Sequence, residues 1–249
     1  MAGHSHWAGI KHKKAANDAK RGKVWSKIAR MIIVAAKAGG GDPGQNLTLR
    51  YAIDKAKAAN MPKDTIEKAI KKGTGELGAI EYVDVLYEGY APGGVAIMVE
   101  GLTDNRNRTA PEIKKIFEKR GGSMGASGCV SYMFRKKGLV TVKTDAADEE
   151  TLMEIALTAG ADDLENTGEI YEITCEPESY DDLKAALEEK EIPLESSELS
   201  RLPDSTIPVA DAETARKLLN LMEDFEDHDD VQEVYGNFDI PDDILNQIQ

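Results

Sequence analysis

The sequence predicts an α+β protein of three domains: an N-terminal helical domain followed by two α/β domains, the last ferredoxin-like (βαββαβ) and inserted in the middle one. Three observations carry this. Apolar residues recur at helical spacing from about residue 15 to 75, and from Tyr82 onward the period shortens to two. Residues 138–203 then run strand, helix, strand, strand, helix, strand, the order of a split βαβ unit. The expected bounds are 1–79 for a basic arm and helical domain, 80–137 plus 204–249 for a discontinuous middle domain, and 138–203 for an acidic ferredoxin-like domain.

The first ten residues, with Gly3 and Gly9, predict an irregular arm. Val24, Ile28, Met31, Ile32 and Ala35 fall on one stripe of a first helix, and Gly39-Gly40-Gly41 ends it. A second helix runs from about Leu47 to Ala59, and Pro62 opens a third that stops at Gly73. Strands follow at 82–88 and 94–100 around the turn at 89–93, then a helix over 110–120, the glycine-rich segment 121–128, and a strand over 129–134. Beyond Pro203, a short strand, a helix over 211–226 and a strand over 231–235 are too few to close a core alone. They are expected to complete the domain begun at Ile80, leaving a polar tail.

Hydrophobic residues at 41% and charged residues at 31% fit a folded chain with real cores. The N-terminal apolar run, 31–36, is too short to cross a bilayer, and the basic leader lacks the h-region of a secretory signal, so a cytoplasmic protein without membrane contact is expected. Cys129 and Cys175 lie far apart without ligand spacing and are expected to act as small hydrophobes.

Charge is the informative signal. Of the 31 Lys and Arg, 16 lie in residues 1–80, with only 6 of the 45 Asp and Glu, so the first third is +10 and the remainder −24. Lys20, Lys23, Lys27 and Arg30 share a face of the first helix, preceded by Lys11, His12, Lys13, Lys14 and Arg21. Before Asp54 the acids are Asp18 and Asp42, so helical i,i+4 pairing cannot absorb these bases. Cations spaced along one surface displace counterions from phosphates, so the face is expected to bind nucleic acid rather than be merely solvated. Trp7 is a candidate for stacking on bases, whereas Trp25 is read equally as core. A second candidate is Arg106 and Arg108 beside a helix start, where Thr109 and Glu112 have capping-box spacing; the alternative is that these arginines pair with the acidic third domain.

Other chemistries fit less well. His4, His6 and His12 lack a carboxylate or thiolate at ligand spacing, so no metal and no cofactor is expected. Gly73, Gly75 and Gly78 match GxGxxG but follow a helix and precede a strand, the reverse of a dinucleotide site. The acidic run 223–230 lacks the EF-hand glycine and reads as a solvated helix end. No nucleophile-and-base set stands out, so no enzyme is expected; a metal-dependent hydrolase using that acidic run is a distant alternative.

The segments GHSHWAGIKHKKAANDAKRGK, AAKAGGGDP, NMPKDTIEKAIKKGTGE, YEGYAPGG, LTDNRNRT, KRGGSMG and DDVQEVY occur in this order. Together they resemble the YebC/PmpR family, to which the mitochondrial translational activator of cytochrome oxidase also belongs. His6 departs from the Lys of many members. The resemblance implies three domains and a non-enzymatic regulator of gene expression. It implies either a DNA-binding transcriptional regulator or a factor acting in translation at the ribosome at difficult sequences such as proline runs; from their charge, the acidic domains are expected to face protein partners or to repel RNA phosphate. The residues matching the pattern that could touch nucleic acid are Lys11, His12, Lys13, Lys14, Lys20, Arg21, Lys23, Lys27, Arg106 and Arg108.

Overall fold

The structure, a computed structural model, describes residues 18–78 and 81–248. The first unit is three helices, α1 (Asp18–Gly39), α2 (Leu47–Ala58) and α3 (Lys63–Gly73). Ile28, Ile32, Ala35 and Ala36 of α1 close on Leu49, Ala52 and Ala56 of α2 and on Ile66 and Ala69 of α3. Alanines let the helices approach closely, and Gly73 does so most: a Cβ there would stand 2.5 Å from the Ile33 carbonyl. Asn46 joins α1 to α2. Its Oδ1 caps α2 by accepting from the Leu49 N–H, while its Nδ2 donates to the carbonyls of Ala35 and Gly40. Trp25 takes its core alternative, its indole N–H donating to the Ala59 carbonyl at 2.9 Å, whereas Val24 lies outside the expected stripe and is exposed.

The second unit is built on β1 (Val83–Tyr90), β2 (Ala96–Thr103), α4 (Arg106–Lys119) and β3 (Ser123–Met124). The third follows, with β4 (Phe134–Lys143), α5 (Glu149–Thr158), β5 (Ala161–Asn166), β6 (Ile170–Cys175), α6 (Tyr180–Glu189) and β7 (Leu194–Pro203). Its antiparallel sheet has the order β5-β6-β4-β7, the ferredoxin-like arrangement, with α5 and α6 on the face of Val140, Val142, Tyr171 and Ile173. The chain then adds β8 (Ile207–Pro208), α7 (Ala212–Glu226), β9 (Val231–Gly236), β10 (Phe238–Asp239) and α8 (Asp242–Ile248).

β9 pairs antiparallel with β2, giving a sheet of order β3-β1-β2-β9. Chain segments on both sides of the ferredoxin-like unit therefore share one sheet. β2 is covered on both faces. Ile97 and Val99 point to α4 and α7, where Phe117 meets Phe225 edge-on at 4.7 Å, while Ala96 and Met98 pack on Val130 and Phe134.

Two expectations need correction. The tail is not merely polar: α8 buries Ile244 and Leu245 against the second core. The segment 129–134 is not a strand but a loop and a 3-10 turn (Ser131–Met133) leading into β4. The cause is Glu88 on β1, which is 2% exposed. One carboxylate oxygen accepts from the Gly128 N–H at 2.7 Å, and the other accepts from Val130 at 2.8 Å and Ser131 at 2.7 Å. Consecutive residues of a strand point their N–H groups to opposite sides, so 130 and 131 cannot share an acceptor and remain in a ladder.

Burial pushes the Glu88 carboxyl up, but the converging N–H donors outweigh it and hold it below the usual carboxylate range. Its contribution is thus complete above the unfolded value of about 4.3 and is lost as pH falls through the lower folded value. Glu88→Gln would turn an amide donor toward backbone donors. Urea unfolding at neutral pH is expected to show a loss of about 2 kcal/mol, shrinking toward nothing in strong acid.

Candidate nucleic-acid interface

Helical phasing places Lys20, Lys23, Lys27 and Arg30 outside the core of the three-helix unit, and that much holds for the backbone of α1. Lys11, His12, Lys13, Lys14 and Trp7 lie outside the described residues. Lys20 and Arg21 are on α1, with side chains outside the described set.

The next three bases are bonded within the protein, although Lys23 stays exposed. The Lys23 ammonium donates to the Asp227 carbonyl at 3.2 Å and sits 3.5 Å from its carboxylate. Lys27 donates to the Glu226 carbonyl at 2.5 Å. Arg30 donates to the Asp229 carbonyl and, at 3.2 Å, to the Asp230 carboxylate; its guanidinium also lies over the Tyr82 ring, 5.6 Å from the centroid. All three thus reach one segment, the C-terminal end of α7 and the turn into β9. The reason is electrostatic. α7 ends with Glu223, Asp224 and Glu226, has no base in its last turn, and adds these charges to the negative end of its own dipole. The cations come from elsewhere. α1 provides Lys23, Lys27 and Arg30, and Arg120 binds Asp224 through Nε at 2.7 Å and a terminal nitrogen at 3.0 Å. The acidic run is therefore a docking element rather than a solvated helix end.

At the centre is Asp230, 3% exposed. Its Oδ2 accepts from the Thr109 hydroxyl at 2.7 Å, the Thr103 hydroxyl at 3.1 Å and Arg108 at 2.5 Å. Burial pushes this carboxyl up, but the bonds from Thr109, Arg108 and Thr103 outweigh it and hold it below its ordinary range. This answers the alternative posed for the arginines: Arg108 pairs with Asp230 and with Asp104, both outside the 138–203 segment. Arg106 donates to the Asp84 carbonyl at 3.0 Å and stays exposed. The capping expectation also shifts, because α4 begins at Arg106 with Asn105 as its cap, accepting from the Arg108 N–H at 3.2 Å. Thr109 instead serves Asp230.

A cleft of about 710 Å³ opens beside this contact, lined by Lys23, Arg30, Arg108, Lys115 and Lys119 but also by Asp104, Glu112, Asp227, Asp229 and Asp230. The five bases are matched by five acids, so the cleft offers no net charge to an anion. Glu112 faces His228 at 3.0 Å; since His228 Nδ1 accepts from the Asp230 N–H, its Nε2 carries the proton that Glu112 accepts. Among the described residues no group of three or more His, Cys, Asp or Glu is placed to hold a metal ion, and no helix is long and apolar enough to cross a membrane.

The remaining bases of the helical unit show where docking continues. Arg50 binds Asp181 of α6 at 2.7 Å and Lys55 binds Glu233 of β9, so α2 touches both other units. Lys37, Lys57 and Lys63 pair with Glu81, Asp54 and Glu67. Lys68, Lys71 and Lys72 of α3 are exposed and make no ion pair among the described residues; they were not among the residues singled out by sequence, because only α1 combined length with a dense run of bases.

The family description "TACO1/YebC protein N-terminal domain" matches residues 5–76, and "TACO1/YebC second and third domain" matches residues 82–238. A protein of Persephonella marina named "Probable transcriptional regulatory protein" is 53% identical over 249 residues, covering 100% of both chains. One of the same name from Elusimicrobium minutum is 51% identical over 248 residues, covering 100% of this chain and 99% of the relative. The crystal structure of a conserved hypothetical protein from Aquifex aeolicus superposes with a TM-score of 0.86 at 50% identity, covering 96% of this chain and 99% of that one.

Asp230→Asn removes the charge that four donors from three other elements share. Because Arg108 is partly exposed and screened, the expected loss is about 2 kcal/mol, toward the low end for a buried pair. With a folded value below the unfolded value of about 3.9, the wild-type advantage is fully present above that pH and disappears as pH falls through the folded value. Paired denaturant titrations of both proteins across this range check it.

Proposed function

This chain belongs to the TACO1/YebC family, and on that premise we propose that it is a non-enzymatic, nucleic-acid-binding regulator of gene expression, acting first as a DNA-binding regulator of transcription. The observation that carries the reading is the separation of charge, +10 over residues 1–80 against −24 beyond, within a chain whose full-length relatives are named as transcriptional regulators. Lys11, His12, Lys13 and Lys14, with Lys20 and Arg21, contribute positive charge for nucleic-acid contact. Lys23, Lys27, Arg30 and Arg108 belong to it in a second sense. They are already bonded to residues 226–230, so a phosphate backbone reaching them replaces intramolecular oxygens with its own. Arg106, whose hydrogen bond among the described residues goes to a carbonyl, keeps donors for a phosphate.

A second reading, binding to RNA in the ribosome in support of translation, is favoured by one observation. α1 contains no Asn or Gln, and Arg30 is engaged within the protein, so α1 has few donors for base edges and suits backbone contact. The acidic units would then meet protein partners or repel phosphate from unproductive faces.

Gel-shift titrations of operator-sized duplexes and of ribosomal particles across a salt series separate the two. Sequence-dependent duplex binding is expected from the first reading; equal weak affinity for every duplex with tight ribosome binding would sink it in favour of the second. Lys20→Ala, Lys23→Ala and Lys27→Ala together are expected to weaken binding and flatten the log–log salt slope by up to about one per lost phosphate contact.

A further inference from the structure

We propose that the outer face of α3, presenting Lys68, Lys71 and Lys72, is a phosphate-contacting surface of this protein, open while the α1 face is occupied by residues 226–230. The inference rests on the nucleic-acid reading above and adds to it a site on a different helix.

Three observations converge. Ile66, Ala69, Ile70 and Gly73 face the core, so at 100° per residue Lys71, Lys68 and Lys72 span about 100° of the opposite face. All three are exposed. Secondly, the helical unit docks through α1, by Lys23, Lys27 and Arg30, and through α2, by Arg50 and Lys55; among the described residues α3 sends no hydrogen bond or ion pair to either other unit. Among the described residues, therefore, no contact of the fold occupies this face. Thirdly, the bases of α1 and α2 described above have oxygen partners, whereas among the described residues these three have none, although Asp64 precedes Lys68 by four residues.

Lys68 stands three and four residues before Lys71 and Lys72, spacings at which like charges repel across a helix surface. The negative end of the α3 dipole offsets this for Lys71 and Lys72, which occupy the last turn, and leaves a stable cationic strip. The strip carries ammonium groups and no Asn, Gln or Arg, so it is suited to the phosphates that duplex DNA and RNA share and not to base identity. It fits a positioning contact that brings the molecule to a backbone before the α1 face is released from the acidic segment.

The test uses the full-length protein carrying Lys68→Gln, Lys71→Gln and Lys72→Gln together, which retain helix propensity at exposed positions. The charge-preserving triple Lys→Arg variant and a control, Lys136→Gln with Lys190→Gln in the ferredoxin-like unit, accompany it. Each is titrated against a mixed-sequence duplex DNA and against ribosomal particles over a salt series, with circular dichroism to verify folding. The expected result is weaker binding by the Gln triple and a salt slope flattened by up to about three, near 0.9 per contact on duplex DNA, with wild-type behaviour of the Arg triple and of the control. A folded Gln triple with the wild-type slope on both ligands would overturn this inference and leave the proposed function intact. A wild-type protein with no salt-dependent binding to either ligand would overturn the proposed function and this site with it.

Discussion

Asp230 sits where α7 has ended and β9 begins, and four side chains from three other places converge on its carboxylate. Thr103 comes from the end of β2, Arg108 and Thr109 from the first turns of α4, and Arg30 from α1. A carboxylate taken out of water is tolerated only if its lone pairs are filled by well-aimed donors. Those donors fix the exit of the central strand, the start of the helix behind it and the seat of the N-terminal unit at once. The angle at which the helical unit meets the rest of the molecule follows from this point, and Arg50 and Lys55 of α2 hold it from the other side.

Around Asp230 the charge arrangement is one of borrowing. α7 finishes in a run of acids at the negative end of its own dipole, an arrangement that repels itself. Lys23 and Lys27 deliver positive charge to its last carbonyls, and Arg120 with Lys119 delivers it to Asp224. The strongly basic first third and the strongly acidic remainder are thus partly the two sides of one internal contact. This bears directly on function. Under the proposed function, a nucleic acid that takes the α1 face would have to offer these ammonium and guanidinium groups oxygens at least as good as the ones they already hold, so binding and docking would draw on the same residues.

Glu88 plays a comparable part on a smaller scale. The glycine-rich loop after α4 has little side-chain surface to bury, so its shape comes from its own N–H groups. A buried carboxylate reaching from β1 gathers those of Gly128, Val130 and Ser131. The consequence is a defined path from the second unit into β4, on which the placement of the ferredoxin-like unit depends.

Periodicity was sufficient for the three helices of the first unit and for the βαββαβ order of the third, because each of those elements buries a stripe against partners close in sequence, as Ile28 and Ile32 do against Leu49 and Ala52. Composition was sufficient for the charge division. Three of the readings that the structure changed share one cause: each concerned a polar group whose partner lies about forty to two hundred residues away. Phasing could say that Lys23, Lys27 and Arg30 lie outside the core of their own helices, but not that residues 226–230 bond to them. The acidic run 223–230 looked solvated because its bases are in α1 and α4, and 129–134 looked like a strand because the acceptor of its N–H groups is on β1. Local pattern is written by contacts within a turn or a hairpin and is therefore legible in the chain alone. The choice between a base offered to a partner and a base spent inside the molecule is made by Coulombic and hydrogen-bond contacts that exist only once the units are docked.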